Sequence, residues 1–301
     1  MRVTVTGATG RIGTRLVGAL RKRGDDVTVL SRNPDKARAS LQVEAHAWQP
    51  ESEPAPAAAL AGRDGVVHLA GEDVAQRWSD DAKRRLRSSR ELGTRNLVTG
   101  LREADPRPGV LVSSSAVGFY GPRGDEPVTE DAAPGTDFLA QLCVAWEREA
   151  SAAEELGLRV VRVRTGIVLD KDGGALAKML PFFRLGVGGP VAGGRQYMAW
   201  IHVDDLVGIY LAALDGERWS GAVNATAPTP ATNKEFSVAL GRALHRPALA
   251  PVPSFAIRAL YGEMAQIVIT GHRAVPERTQ ALGFSFAHSE LDEALRSALA
   301  G

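Results

Sequence analysis

The 301-residue sequence predicts an α/β protein with a Rossmann-type, doubly wound, mostly parallel seven-stranded sheet and a small C-terminal α+β lobe. Three observations carry this expectation. Short apolar runs at residues 26–30, 65–71, 110–112, 158–164 and 222–225 alternate with helix-spaced segments, as parallel strands covered on both faces should. The first strand, around Val3 and Val5, breaks at Gly7, and a helix opens within six residues, giving the spacing Gly7-x-x-Gly10-x-x-Gly13. Past Pro228 and Pro230 the alternation stops, and Thr232-Asn233-Lys234-Glu235 matches a capping box that starts a separate run of helices.

The first turn is the strongest signal. Ile12, Leu16, Val17 and Leu20 recur on one helical face, so the segment reads strand, glycine turn, helix. Gly7 allows backbone angles that a side chain forbids, Gly10 lets the backbone approach a phosphate, and Gly13 lets the helix lie against the strand. The unsatisfied N–H groups of Arg11, Ile12 and Gly13, with Thr9 beside them, then face the pyrophosphate of a dinucleotide.

The second strand ends in Ser31-Arg32-Asn33-Pro34. A carboxylate at this point accepts from a free ribose 2′-hydroxyl, whereas an arginine pairs with a 2′-phosphate. Arg32 stands there and no acid does, so the sequence favours NADP(H) over NAD(H). The strand at 65–71 ends in Leu69, Ala70 and Gly71, small enough at its tip for the backbone to lie beside the cofactor's ribose. His68 within that strand reads as a core histidine, because a strand interior does not face the cleft.

Composition narrows the partners. A formal net charge of +1 with 24% charged residues gives no global pull toward nucleic acid or a membrane surface, leaving a small-molecule substrate. The one cysteine, Cys143, rules out an internal disulfide and fits a reducing, cytoplasmic setting. No secretory leader is expected, no apolar run approaches the roughly 20 residues a bilayer demands, and no metal-ligand spacing stands out. A homodimer stays open.

The buried run at 110–112 continues into Ser113-Ser114-Ser115-Ala116-Val117-Gly118-Phe119-Tyr120-Gly121, with hydroxyls at the carboxyl end of a central strand, where such sheets hold their ligands. Further along come Ala70-Gly71-Glu72, Arg77-Trp78, Cys143-x-x-Trp146-Glu147, Arg164-Thr165-Gly166, Trp200-Ile201-His202-Val203-Asp204-Asp205 and Gly271-x-Arg273-x-x-Pro276. Together these resemble the extended branch of the short-chain dehydrogenase/reductase superfamily, and within it the sugar-nucleotide-epimerase-like "epimerase family", over essentially the whole chain. The resemblance implies an NADP-binding fold in which Ser115 hydrogen-bonds the substrate oxygen beside the nicotinamide. It also places Ser113 and the Thr165-Gly166 backbone on the cofactor side.

One departure matters for chemistry. The superfamily pairs a tyrosine with a lysine one helical turn later, and the ammonium lowers the phenol's pKa. Counting back from Arg164-Thr165-Gly166, these positions hold Cys143 and Glu147, and none of the four tyrosines has a lysine four residues on. A carboxylate beside a thiol disfavours the thiolate, so Cys143 reads first as a core residue among Leu139, Leu142 and Trp146. Tyr120 and Glu147 then become the candidate acid/base groups.

Residues 173–199 read as loops and short strands forming one wall of a substrate cleft. Arg195, after a Gly-Gly turn, is either a surface cation or a partner for a substrate phosphate or carboxylate. His202 and Asp205 read as braces of the following corner, with His202 also a substrate-side candidate. The tail reads as a helix over 235–244, a further run over 254–262, a short strand at 266–269 and a last helix from 289, together a small α+β lobe. The expected division is a NADP-binding domain from 1–168 with 200–227, and a substrate-side lobe from 169–199 with 228–301. Two functions follow: an epimerase, dehydratase or reductase of non-standard mechanism, or a cofactor-binding or sensing protein without turnover.

Overall fold

In the computed structural model, which describes residues 1–300, the apolar runs form strands because helices cover them on both faces. β1 (Arg2–Thr6), β2 (Asp26–Ser31), β3 (Glu44–Ala47), β4 (Gly65–His68) and β5 (Val110–Ala116) alternate with α1 (Arg11–Lys22), α2 (Pro34–Leu41) and α3 (Asp80–Glu103). A short β6 (Pro127–Val128) precedes α4 (Phe138–Ser151), β7 (Arg159–Thr165) and β8 (Ile167–Leu169). Then come α5 (Gly174–Arg184), β9 (Tyr197–Met198), β10 (Trp200–His202), α6 (Val203–Asp215) and β11 (Gly221–Ala225).

Seven of these strands make one parallel sheet in the order β11-β7-β5-β4-β1-β2-β3. The chain winds outward from β1 through β2 and β3, then returns to the other side of β1 with β4. This reversal opens a crevice at the carboxyl ends of β1 and β4, where an open α/β sheet holds a ligand. On one face Leu16, Val17 and Leu20 of α1 and Ile209, Tyr210 and Ala213 of α6 pack on Val3, Val5 and Val163. On the other, Leu97 and Leu101 of α3 meet Val66, Leu111 and Val160.

The remaining chain adds β12 (Ala231–Thr232), α7 (Asn233–Ala243), α8 (Ser254–Tyr261), α9 (Ala265–Ile269), β13 (Arg273–Ala274), α10 (Glu277–Ala281) and α11 (Leu291–Ala300). The capping box at Thr232 and Glu235 forms in full and starts α7. A second core joins Leu176, Leu180 and Phe183 of α5 to Trp200, Phe236, Leu240 and Leu295, so the 173–199 segment and the tail are built together.

Two sequence expectations are corrected here. Residues 174–184 are a helix, not loops and short strands: Leu176, Leu180 and Phe183 recur at helical spacing and bury one face, which outweighs the internal Pro181. Residues 265–269 are a helical turn, not a strand, because no neighbouring strand is there to pair with an apolar run this short.

The turn after β1 has no slack. A Cβ on Gly13 would lie 2.4 Å from the Gly7 carbonyl oxygen and 2.6 Å from Ala8 Cα, whereas one on Gly18 of the same helix would meet nothing within 4 Å. Gly13→Ala is expected to lose roughly 1–3 kcal/mol of unfolding free energy, while Gly18→Ala should be neutral or stabilising by up to about 1 kcal/mol. Urea denaturation of both variants checks this, and equal midpoints would show that the turn can relax.

Candidate active site

The cofactor cradle follows from the glycine turn. Gly7 sits at φ +66°, and a Cβ there would lie 2.6 Å from the Leu69 carbonyl carbon, so the ends of β1 and β4 touch backbone to backbone. Thr6 Oγ1 accepts from Leu69 N and Ala70 N, each at 3.3 Å, and lies 2.7 Å from His68 Nδ1. Gly10 is the N-cap of α1 and offers no side-chain cap; the N–H groups of Arg11, Ile12 and Gly13 find no acceptor in the protein. An uncapped helix start of this kind, with Thr9 and Gly10 exposed beside it, fits a phosphate in charge and donor count.

Two arginines of α1 reach out from this loop. The Arg11 guanidinium donates to the Asp172 carbonyl and lies against Gly173, while Arg15 Nη2 pairs with Asp170 Oδ1 at 3.2 Å. They tie the glycine turn to the first turn of the lobe. Ser31 Oγ is taken up locally by Asn33, accepting from its N at 3.1 Å. Arg32 is exposed and, among the described residues, has no hydrogen bond or ion pair.

The chemistry-bearing cluster lies under the carboxyl ends of β5 and β7. Ser115 Oγ donates to Glu147 Oε1 at 2.6 Å. Arg164 grips the same carboxylate with both arms, Nε to Oε1 at 2.8 Å and Nη2 to Oε2 at 2.9 Å. All three residues are at least 95% buried. Arg164 Nη1 donates to Tyr120 OH at 3.0 Å and to the Glu130 carbonyl at 2.9 Å, and the guanidinium stacks 3.5 Å above the Phe119 ring. Burial disfavours this cation, but the hydrogen bonds and charge of Glu147 more than offset that and raise its pKa.

Cys143 is buried beneath Gly118, one helical turn before Glu147. Burial, then the Glu147 charge, push its thiol up to about 12, so it is protonated at neutral pH. Ser114 Oγ lies 2.7 Å from Tyr210 OH, and Ser113 Oγ turns back to the Ser114 carbonyl at 3.3 Å. Thr165 and Gly166 close the strand end, where a Cβ on Gly166 would meet the Ala199 carbonyl oxygen at 2.4 Å. Close packing of backbones accounts for that glycine.

The structure thus gathers Ser115, Cys143 and Glu147 in one buried cluster, and Gly7 through Gly13 with Leu69, Ala70 and Gly71 around the crevice. Two expected candidates have their side chains engaged elsewhere. Tyr120 is fully buried, donates to Asn224 Oδ1 at 2.6 Å and accepts from Arg164; burial pushes its hydroxyl up to about 12. Its hydroxyl is thus held in the wall beside Arg164.

His202 is the N-cap of α6, its Nδ1 accepting from Asp204 N at 3.2 Å, and its ring stacks on His288 with centroids 3.8 Å apart. It pins the tail to α6 rather than facing substrate. The His202, Asp204 and His288 ligand atoms lie within 4.8 Å of one another, with His202 Nδ1 already accepting from Asp204 N. Arg195 is exposed on its turn and stands apart from the buried cluster.

Two functional residues escaped the sequence reading. Arg164 appeared only as part of a motif, yet a charged residue on the inner face of a covered strand needs a buried counter-charge, and that alternation pointed at α4. Arg90 is 8% exposed, lies under Gly71 and over the Trp146 ring, and bonds only main-chain carbonyls, of Glu72 and Leu86. It was hidden in a basic run that otherwise forms a solvated helix face.

A doubly wound parallel sheet with a Gly-x-x-Gly-x-x-Gly turn at its switch point, and a Ser115–Glu147–Arg164 cluster beside it, defines a dinucleotide-binding protein of the short-chain dehydrogenase/reductase type. The chain belongs to the NAD dependent epimerase/dehydratase family, which residues 3–225 match; residues 252–298 match a domain of unknown function, DUF1731. It is 42% identical over 295 residues to the epimerase family protein Mb2239 of Mycobacterium bovis, covering 97% of this chain and 96% of that one. It is 40% identical over 308 residues to a chloroplastic SDR39U1 homolog of Arabidopsis thaliana, covering 99% and 86%. The crystal structure of human epimerase family protein SDR39U1 with NADPH superposes with a TM-score of 0.89 at 35% identity, covering 100% of this chain and 99% of that one.

His68, enclosed by Thr6 and by Thr94 Oγ1 at 3.0 Å, gives the fold a pH signature. Burial pulls its pKa from 6.5 down to about 4. As pH falls below about 6.5, the unfolded chain takes up a proton that the folded one refuses, so stability declines, by about 3 kcal/mol on reaching pH 4. His68→Asn should flatten this decline in guanidinium denaturation between pH 6.5 and 5; parallel slopes in the two proteins would refute the assignment.

Proposed function

We propose that this protein is an NADP(H)-dependent epimerase, dehydratase or reductase for a small polar substrate, with nucleotide sugars a leading class, in which Ser115 and Glu147 jointly move the proton. The observation that carries the reading is the 2.6 Å contact from Ser115 Oγ to Glu147 Oε1, at the point where the family otherwise uses tyrosine and lysine. When bound, the nicotinamide supplies a hydride acceptor or donor. Ser115, donating its own proton to Glu147, presents its lone pairs to a substrate hydroxyl. As the hydroxyl proton passes to Ser115 Oγ, the serine proton passes to Glu147 Oε1, and Arg164 holds the carboxylate in register. The reduction direction runs the same transfers backward.

The preference for NADP(H) over NAD(H) rests on Arg32, exposed at the end of β2 and, among the described residues, without an ion-pair partner, with Ser31 beside it and no acid at that position. The relative crystallised with NADPH supports it. The Thr9 to Gly13 turn takes the pyrophosphate, the Leu69–Gly71 and Ser113 edges and the Thr165–Gly166 strand end flank the nicotinamide half, and Arg195 offers a contact for a substrate phosphate or carboxylate. The proposed division is a cofactor domain from 1–168 with 200–227 and a substrate-side lobe from 169–199 with 228–301. Every residue named comes from one chain, so monomer and homodimer serve the reading equally. A reducing compartment, the cytoplasm first, suits the free Cys143.

A second reading, a cofactor-binding or sensing protein without turnover, is favoured by the protonated Cys143 and by the Arg164 clamp, which occupies both Glu147 oxygens. Activity panels of carbonyl compounds and nucleotide sugars, read at the nicotinamide absorbance, separate the two. Ser115→Ala and Glu147→Gln should each lower kcat at least about tenfold while leaving NADPH affinity within about twofold, and Tyr120→Phe should spare kcat. Tight NADPH binding with no turnover on any panel would leave the sensing reading standing. Arg32→Ala should weaken NADPH at least about tenfold and NADH hardly at all; equal losses in titration calorimetry would remove the cofactor preference.

A further inference from the structure

The substrate-side lobe carries a surface that the cofactor crevice does not account for. Six large apolar side chains are more than half exposed: Phe182, Leu185, Val187, Leu249, Phe255 and Leu260. All six lie in two segments, residues 173–203 and 236–262. Scattered exposed leucines are ordinary on any protein, but this concentration in one lobe is not.

The same two segments contain no aspartate and no glutamate, while they hold Lys178, Arg184, Arg195, Arg242, Arg246 and Arg258, against a formal net charge of only +1 for the whole chain. Asp172, whose carbonyl Arg11 holds, and Asp204, in the first turn of α6, flank the first segment; the acids nearest the second are engaged. Glu235 closes the capping box, Glu263 pairs with Lys83, and Asp292 pairs with Arg242 at 2.9 Å. Arg184, Arg246 and Arg258 are exposed and, among the described residues, have no acidic partner; Arg195 is left to the substrate contact proposed above.

The segments are neighbours in space. Arg246 Nε donates to the Arg184 carbonyl at 3.1 Å, Ala192 N to the Val252 carbonyl at 2.9 Å, and Val252 N to the Pro190 carbonyl at 2.9 Å. A Cβ on Gly186 would touch Pro247 at 3.8 Å, so the chain carrying Leu185 and Val187 runs beside that carrying Leu249. Between α7 and this edge lies a groove of about 480 Å³ whose walls are Val238, Arg242, His245, Arg246, Pro247 and Leu249. Exposed apolar side chains on α5, on α8 and on the turns after α5 and α7, with cations among them and no acid within the two segments, supply the two ingredients of interfacial binding: insertion into the acyl boundary and attraction to acidic headgroups.

We propose that this face of the lobe docks reversibly on an anionic lipid bilayer. Charge complementarity selects this occupant over a second copy of the chain, because self-pairing would bring two faces of exposed arginines together without any acid to answer them. The inference stands apart from the proposed reaction, since none of Ser115, Glu147 or Arg164 belongs to the face.

Vesicle flotation tests it with the full-length protein. Vesicles of phosphatidylcholine with about 30% phosphatidylglycerol should carry the protein upward, vesicles of phosphatidylcholine alone should not, and salt at about 0.5 M should release most of it. Leu185→Ser with Leu249→Ser, and separately Arg184→Glu with Arg258→Glu, should each cut the partition coefficient at least about tenfold, with circular-dichroism melts confirming that both variants fold. Absence of wild-type binding to the acidic vesicles, or equal binding to neutral ones, would overturn the proposal. So would light scattering that shows a wild-type dimer turned to monomer by Leu185→Ser with Leu249→Ser, which would assign the face to a second copy.

Discussion

The ion pair between Glu147 and Arg164 is the interaction on which the site depends. Two opposite charges are withdrawn from water between α4 and β7, and each is satisfied only because the other is there. Deleting one partner of such a pair typically costs about 3–5 kcal/mol, because the survivor is left buried and uncompensated. The pair therefore fixes the distance between the helix and the sheet and, through Glu147 Oε1, the rotamer of Ser115. A lysine at residue 147 would place an ammonium against Arg164, so the familiar tyrosine and lysine arrangement is incompatible with an arginine at this point of β7.

That pair is also the root of a longer network. Arg164 holds Tyr120, Tyr120 donates to Asn224, and Asn224 Nδ2 donates to the Val275 carbonyl at 2.9 Å, with Asn224 N donating to Glu130 Oε1 at 3.0 Å. Glu130 Oε2 in turn accepts from Arg278 N at 3.1 Å. The carboxylate beside the crevice is thus linked by buried hydrogen bonds to the tail that follows the sheet. Fully satisfied buried networks of this kind hold one geometry and tolerate few others. This gives the tail a physical part in the site, although none of its side chains reaches Ser115.

The parts of the fold legible in the sequence were those set by local rules. Val3, Val5 and Gly7 through Gly13 announce strand, turn and helix because each residue answers a requirement of its own backbone. Thr232 and Glu235 announce a helix start for the same reason. Residues 174–184 and 265–269 were misread where a tertiary partner decides: Leu176, Leu180 and Phe183 become a helix face only once Trp200 and Phe236 stand opposite. In the site, Ser115, Cys143 and Glu147 were legible by position, while the burial of Tyr120 and the pairing of Arg164 depend on how far β7 stands from α4. No spacing along the chain encodes that distance.

The consequence for chemistry turns on charge. By the count along the sequence, the superfamily's tyrosine and lysine positions fall on Cys143, a thiol that burial keeps protonated, and Glu147, whose charge is matched by Arg164. One further buried cation, Arg90, lies under Gly71 with only main-chain carbonyls for partners. With Arg162 Nη1 3.9 Å from Glu147 Oε2, three arginines, Arg90, Arg162 and Arg164, stand against one carboxylate, so the wall keeps a net positive charge although no lysine stands on α4. A positive charge in that wall favours electron density gathering on a substrate oxygen, whichever residue supplies it. Under the reading proposed above, the usual proton carrier is absent while the electrostatic character of the site is kept, and the proton falls to the hydroxyl already hydrogen-bonded to a carboxylate there, that of Ser115.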